Sequence, residues 1–178
     1  MEDQRPKTLE HISEVRNQLN LVINELHDRA RDHDASKLEE PEKSIFDEYT
    51  PKLKNTTYGS AEYKQYLKEM KKALDHHYKH NGHHPEHFAI LKKDTNIFSK
   101  LWTKFLTKIN NLIKPYLSNR SSVSYMNLID VIEMFCDWKA ATLRHADGDI
   151  LNSIDINKKR FEISDQLASI LRNTAKIL

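Results

Sequence analysis

The scarcity of glycine constrains the fold of this chain more than any other feature of its sequence. Glycine occurs only three times in 178 residues, at Gly59, Gly82 and Gly148, and proline occurs only five times. A fold built of short strands needs a turn every few residues, and turns depend on these two residue types. The sequence therefore predicts helices rather than a meander of strands.

Hydrophobic spacing supports this prediction, because apolar residues recur at three- and four-residue intervals in several windows. We expect an all-α fold, a single-domain helical bundle over residues 1–178, in which residues 89–124 form an insertion. Two segments, 51–60 and 118–124, are predicted to be loops. Predicted helices cover residues 9–30 with Thr8 as the N-cap, a stretch opened by Pro41, a stripe over 63–77, the basic segment 97–113, residues 125–146 and residues 157–178.

Composition excludes several classes of protein. The formal net charge is only +2, which argues against a nucleic-acid binder that relies on bulk charge. No run of about 18 apolar residues is present, so no membrane span is expected. The first residues lack the apolar core of a signal peptide, and a single cysteine, Cys136, excludes a disulfide framework. We therefore expect a cytoplasmic protein.

The basic helix predicted over residues 97–113 has two interpretations. Its apolar side includes Trp102 and Phe105, so it can simply pack on the protein with its lysines in solvent. Alternatively, lysines in and beside the helix contact phosphate groups of a ligand. The lysines concerned stand at positions 92, 93, 100, 104, 108 and 114.

The helix predicted over residues 125–146 is apolar on nearly all sides, which is typical of a central helix. Asp130, Glu133 and Asp137 nevertheless share one strip of it. Carboxylates on a buried helix must be paired or must bind a cation, because bare burial costs several kcal/mol. The strip is therefore a candidate for metal binding, unless it is solvated or forms ion pairs with a neighbouring helix.

Histidine is concentrated in one segment, since six of the ten histidines lie between His76 and His87. His77 continues the apolar stripe of its helix, so we expect it rather than His76 to face inward. His83 and His84 follow the predicted helix end at Gly82. A histidine-rich run alone is as often a solvated surface as a metal site.

A second candidate ligand pair, His33 and Asp34, lies where another predicted helix ends. Imidazole and carboxylate are the usual ligands of Zn, Mn, Fe or Ni. The co-occurrence of this pair, the histidine run and the acidic strip predicts a site for one or two metal ions. Lys37 follows closely and could contact a substrate phosphate, or it could be a surface lysine, while Ser36 could cap the next helix.

These motifs resemble those of the HD-domain superfamily of metal-dependent phosphohydrolases, most closely its cyclic-dinucleotide phosphodiesterase branch with HD-x-G-K and H-H-E-x-x-D-G-x-G-Y-P. More narrowly, nearly the whole chain is similar to a family of short bacterial and phage proteins with HD-x-S-K, H-H-x-x-N-x-H-H-P-E and E-M-x-x-D-W. The segments that carry the resemblance are His33-Asp34-Ala35-Ser36-Lys37, His76-His77 through His83-His84-Pro85, and Cys136-Asp137-Trp138.

The resemblance implies an HD-domain-like all-α fold with one to three metals. His33, Asp34 and Asp137 would be the core ligands, and Lys37 would match the phosphate-contacting lysine. A further ion would be held by His76 or His77 together with His83 or His84. His11 looks like the leading histidine of the superfamily, but one continuous helix would place it about 33 Å from His33. Either the chain turns near residues 17–24 or His11 is not a ligand, and we expect the second.

The resulting hypothesis is a metal-dependent phosphohydrolase that acts on a nucleotide or cyclic nucleotide, with Lys37 and Asp34 as catalytic residues. The cofactor would be a divalent metal, whether Mn, Fe, Co, Ni, Zn or Mg. Asp130 and Glu133 would orient imidazole N–H groups. The alternative is a non-enzymatic helical accessory protein that is stabilised by metal and binds a protein partner.

Overall fold

The computed structural model describes residues 3–57, 60–89, 121–144 and 148–178, and the regular structure of these residues is helical, with no strand among them. The predicted all-α class is therefore confirmed. Contacts divide the chain into two compact units, Met1–His33 and Asp34–Leu178. The predicted insertion and its basic helix fall almost wholly on residues 90–120, which lie outside the described residues. None of the described helices is long and apolar enough to cross a bilayer.

The N-terminal unit is one helix, α1, over Arg5–Asp32. It starts earlier than the predicted N-cap Thr8, whose hydroxyl instead bonds to the Gln4 carbonyl within the first turn. Pro6 suits this start, because the first turn has no intrahelical acceptor for its missing N–H. No residue of α1 is buried, and its apolar stripe, which includes Leu19 at 57% exposure, lies at the surface of this unit.

The second unit begins with a short 3₁₀-helix, Ala35–Leu38, and three helices that pack on one another. Ser60 caps the second of these helices through its side chain, which accepts from the backbone N–H of Tyr63. Met70 lies at the junction of the last two helices and is fully buried. The three helices are α2 over Lys43–Lys54, α3 over Ala61–Glu69 and α4 over Lys71–His80.

The C-terminal half of this unit holds its hydrophobic core. A 3₁₀-helix, Ser122–Tyr125, leads into three helices, of which the middle one contacts both others. The helices are α5 over Leu128–Thr142, α6 over Ile150–Phe161 and α7 over Asp165–Ala175. The core residues are Val123, Val131, Met134, Phe135, Ile154, Ile163, Ala168 and Leu171.

Helix boundaries differ from the predictions at several points. Helix α2 runs through Pro51 to Lys54, so the predicted loop 51–60 starts too early, because proline removes one hydrogen bond without forcing the exposed chain out of the helix. The stripe over 63–77 spans α3 and α4 rather than one helix. The predicted helix 157–178 is two helices separated at Glu162, which has a left-handed φ of 52°.

Helix α5 ends at Thr142, earlier than the predicted end at residue 146, and Gly148 follows it at a close approach of the backbone. A Cβ on Gly148 would lie 1.8 Å from the Thr142 carbonyl oxygen. This glycine is required because the backbone passes close to the end of α5, where no side chain fits.

Candidate metal centre

Asp34 opens the second unit in a conformation that is uncommon for a residue with a side chain. It is the N-cap of the first 3₁₀-helix and has left-handed backbone angles, φ 57° and ψ 13°. Aspartate tolerates this region better than most residues, and such conformations are often found at functional sites. The Asp34 carboxylate meets side chains from the end of α4.

Helix α4 ends on the histidines that the sequence singled out. His77 lies in its last turn and is buried, whereas His76 beside it is half-buried, so the prediction that His77 faces inward is confirmed. Asn81 and Gly82 then end the helix, and the following turn carries His83, which is buried, and His84. The turn therefore returns two further imidazoles towards His77.

The donor atoms of these four residues converge. Asp34 Oδ1 lies 3.2 Å from His77 Nε2 and 3.5 Å from His83 Nε2. The Nε2 atoms of His77 and His84 are 2.8 Å apart. Asp34, His77, His83 and His84 each offer one ligand atom, and all four atoms lie within 4.8 Å of one another.

This spacing fits a single metal ion. With bonds of about 2.1 Å, adjacent ligands of an octahedral or tetrahedral ion are about 3.0 to 3.4 Å apart. Three imidazole nitrogens and one carboxylate oxygen form a donor set suited to Zn, Mn, Fe, Co or Ni. The cluster of Asp34, His77, His83 and His84, called the four-residue cluster below, could therefore hold a divalent ion.

The electrostatics of His84 favour a ligand role. Burial, followed by repulsion from His83 and His77, lowers the pKa of His84 to about 2. The imidazole is therefore neutral at physiological pH. Only a neutral imidazole has a nitrogen lone pair to give to a metal.

His83 and Asp34 each stabilise the charged form of the other. Burial alone would lower the pKa of His83, but its contacts with the carboxylates of Asp34 and Glu133 outweigh burial and raise it to about 9. Burial alone would raise the pKa of Asp34, yet hydrogen bonds from His77 and His83 and the Lys37 charge hold it far below its usual range. Asp34 is therefore a carboxylate at any physiological pH.

Helix α5 brings its acidic strip to the same place. Glu133 Oε1 lies 3.0 Å from His83 Nδ1, on the side of the ring away from Asp34. Asp137, one turn further along, offers an oxygen within 4.8 Å of an oxygen of Asp34. Helix α5 therefore supplies an acceptor that can orient His83 and a carboxylate that borders the four-residue cluster.

Lys37 stands at the edge of the four-residue cluster. Its Nζ lies 2.6 Å from Asp34 Oδ2, the oxygen that does not face the histidines. The same ammonium group lies 5.0 Å from the centre of the Phe46 ring. The lysine is thus fixed by an ion pair and a cation–π contact rather than extended into solvent.

Three predicted residues occupy other places. His33 is the C-cap of α1 and the last residue of the N-terminal unit, and its ligand role stays a prediction. His11 is an exposed residue of α1, and the expectation that it is not a ligand stays a prediction as well. Asp130 is buried and forms a capping box with Asn127, whose backbone N–H it accepts at 3.0 Å. The Asn127-x-x-Asp130 spacing is itself the signal for that cap.

The sequence analysis missed Glu42, which has no exposed surface and contacts both His76 and His77. It lies outside any periodic stripe, just before α2, so no local pattern marks it. Tyr78 was also missed; its ring centre lies 5.2 Å from that of His84, and burial raises the pKa of its hydroxyl to about 12.

The fold and the four-residue cluster together define an all-α protein with a buried group of histidines and carboxylates that could hold a metal. The chain belongs to the family of unknown function DUF5662, whose sequence profile matches residues 1–177. No curated protein and no solved structure matches it.

Proposed function

We propose that this protein is a divalent-metal-dependent phosphohydrolase that acts on a small phosphorylated substrate of the nucleotide class. The observation that carries the proposal is the convergence of Asp34, His77, His83 and His84 on one point, with the ammonium group of Lys37 beside it. A cation site next to a fixed lysine charge suits the multiple negative charges of a phosphate ester.

The four-residue cluster would hold the ion, and the residues around it would prepare the reaction. A divalent ion in such a site acts as a Lewis acid and lowers the pKa of a coordinated water towards about 7. Glu133 would keep His83 in one orientation through its Nδ1. Asp137, close to Asp34, would bind a second ion or accept a proton from the attacking water.

Lys37 would act on the substrate rather than on the metal. Its Nζ contacts one oxygen of Asp34, while the other oxygen of Asp34 faces the histidines. A phosphoryl oxygen beside the metal would therefore lie near a positive charge that is already in position. The choice of a nucleotide rests on the resemblance to HD-domain phosphohydrolases, which also places His33 among the ligands.

Metal analysis of the purified protein, followed by a phosphatase screen with Mn, Co, Ni, Zn and Mg, tests the proposal. The screen would use p-nitrophenyl phosphate, nucleoside monophosphates and cyclic nucleotides. We expect at least one metal ion per chain and a release of phosphate that depends on the metal. His84→Ala and Asp34→Asn should lose both, because each removes a member of the four-residue cluster.

The matched control is His80→Ala, since His80 is an exposed histidine on the same helix as His77. It should keep the metal and the activity. Full metal loading without hydrolysis of any substrate would contradict the enzymatic proposal and indicate a structural ion, especially if spectroscopy showed every coordination position filled by protein. An Asp137→Ala variant that hydrolyses phosphate at the wild-type rate would remove Asp137 from the mechanism.

A further inference from the structure

Glu42 is a buried carboxylate that the proposed reaction does not use directly. Its side chain has no exposed surface, although it lies before an exposed helix start and is followed by Lys43. An ionised carboxylate so fully removed from water is costly unless several donors satisfy it. The groups that donate hydrogen bonds to Glu42 therefore indicate its structural role.

Three side chains donate to Glu42. His76 Nδ1 lies 2.7 Å from Oε1, and His77 Nδ1 lies 2.9 Å from Oε2. The Ser36 hydroxyl donates to Oε2 at 3.0 Å. Both oxygens are thus bound, and the two histidines that precede the end of α4 are held by the same residue.

The hydrogens around His77 Nδ1 can be assigned one by one. Asn81 Nδ2 lies 3.0 Å from this nitrogen, but its two hydrogens have acceptors in the His77 carbonyl at 2.8 Å and the Ser36 hydroxyl at 2.9 Å. The Ser36 oxygen lies 3.3 Å from His77 Nδ1, but its single hydrogen goes to Glu42 Oε2, which is closer at 3.0 Å. Because a carboxylate only accepts, the remaining bond requires that His77 Nδ1 carries the hydrogen.

We infer that Glu42 is a positioning residue for the metal site, which fixes His77 with its hydrogen on Nδ1, so that Nε2, beside Asp34 and His84, is the nitrogen that a metal would bind. The same bond opposes rotation of the ring about its Cβ–Cγ axis, since rotation would remove one of the three donors of a buried carboxylate. Glu42 and His77 thus match Glu133 and His83, so two of the three imidazoles are each held by a carboxylate through Nδ1. Carboxylate–histidine–metal arrangements of this kind raise metal affinity.

Ser36 connects this arrangement to the Asp34 turn. It lies in the short 3₁₀-helix that Asp34 caps, and its hydroxyl bridges Glu42 and Asn81. This role replaces the predicted one, in which Ser36 caps the next helix. The turn that carries Asp34 and the helix that carries His77 are therefore joined through Ser36 and Glu42, which keeps their ligand atoms at a constant separation.

The test measures metal affinity of the full chain by calorimetric titration with Zn²⁺ and Co²⁺. Glu42→Gln keeps the size of the side chain but offers one acceptor oxygen in place of two, so we expect a 10- to 100-fold loss of affinity. Ser36→Ala should weaken binding by a smaller factor. Glu48→Gln, at an exposed position of α2, is the matched control and should bind like wild type.

Nitrogen-15 NMR of the histidine rings reports which ring nitrogen carries the hydrogen. A purely structural role of Glu42 would not fix that position. In the wild-type protein, His77 should show a protonated Nδ1 and, with Zn²⁺ present, a metal-shifted Nε2. This measurement needs no variant, so it decides the matter even if Glu42→Gln does not fold. Affinity of Glu42→Gln within twofold of wild type, or a His77 with its hydrogen on Nε2 in the metal-bound protein, would overturn the inference.

The inference rests on the metal site of the proposed function, and the measurements distinguish the two. A protein that binds metal through Glu42-oriented His77 but hydrolyses no phosphate ester would leave this inference standing and overturn only the hydrolase. A protein that binds no metal at these residues would overturn both.

Discussion

Asp34 shows how a single residue combines two tasks at the candidate metal centre. Its left-handed backbone turns the chain into the first 3₁₀-helix, and its two carboxylate oxygens face different partners. Oδ1 lies among the Nε2 atoms of His77 and His83, while Oδ2 contacts Lys37. The sequence predicted Asp34 and Lys37 as neighbours in function, and their spacing of three residues makes the ion pair possible.

Substitution of Lys37 should separate catalysis from metal binding. In Lys37→Met the phosphate substrate loses its fixed positive partner, so kcat/KM should fall roughly 10- to 100-fold. Metal affinity should be unchanged or tighter, because the Lys37 ammonium group, 2.6 Å from Asp34 Oδ2, repels a cation bound to the same carboxylate. Phosphate-release kinetics and calorimetric titration measure the two effects.

Lys43→Met is the control for this experiment, since Lys43 forms an exposed ion pair with Asp47 on α2. It should leave both quantities unchanged. Equal losses of activity and metal content in Lys37→Met would contradict a role for Lys37 at the substrate, because they would indicate damage to the metal site itself.

At the scale of helices, capping residues and backbone reversals decide where each helix begins and ends. Asn127 and Asp130 form a capping box at the start of α5, and Asp149 and Ser164 cap α6 and α7 with their side chains. Capping residues of this kind can be recognised in a sequence. The prediction of one long helix over residues 157–178 nevertheless followed the apolar periodicity and missed the cap at Ser164. The apolar spacing continues through residues 157–171 even though the backbone reverses at Glu162.

The energetic cost of the left-handed turn at Glu162 can be measured by substitution. Its φ of 52° is a conformation that costs a residue with a Cβ about 1 kcal/mol or more, and glycine avoids this cost. Glu162→Gly should therefore raise the free energy of unfolding by about 1 kcal/mol, as measured by urea denaturation. Glu162→Ala keeps the Cβ and should change stability little. A glycine variant no more stable than the alanine variant would show that the left-handed turn carries no such cost.

At the scale of the whole second unit, the four-residue cluster joins segments that are distant in sequence. Asp34 comes from its first residues, the histidines from the end of α4, and Glu133 and Asp137 from the central helix α5. The main hydrophobic core lies among α5, α6 and α7, whereas the histidines lie on the other side of α5. A bound ion would therefore stabilise the packing of the Asp34 turn and α4 against α5.

Metal should raise the melting temperature of the protein by mass action. At a free metal concentration of 100 Kd, binding to the folded state alone adds about 2.7 kcal/mol of stability. Differential scanning calorimetry with Zn²⁺ and with EDTA would show the shift. His80→Ala should keep the shift and His84→Ala should lose it, and an equal shift in both variants would place the ion elsewhere.

The sequence by itself determined the helical class, the inward direction of His77, and the residue types of the candidate metal site. These follow from local physics, since glycine content, helical periodicity and ligand chemistry are properties of neighbouring residues. Only the tertiary structure decided that Asp34, His77, His83 and His84 meet, and that Glu42 holds two histidines. Such contacts depend on how segments far apart in the chain pack against one another, because local spacing does not fix the distance between side chains on different helices.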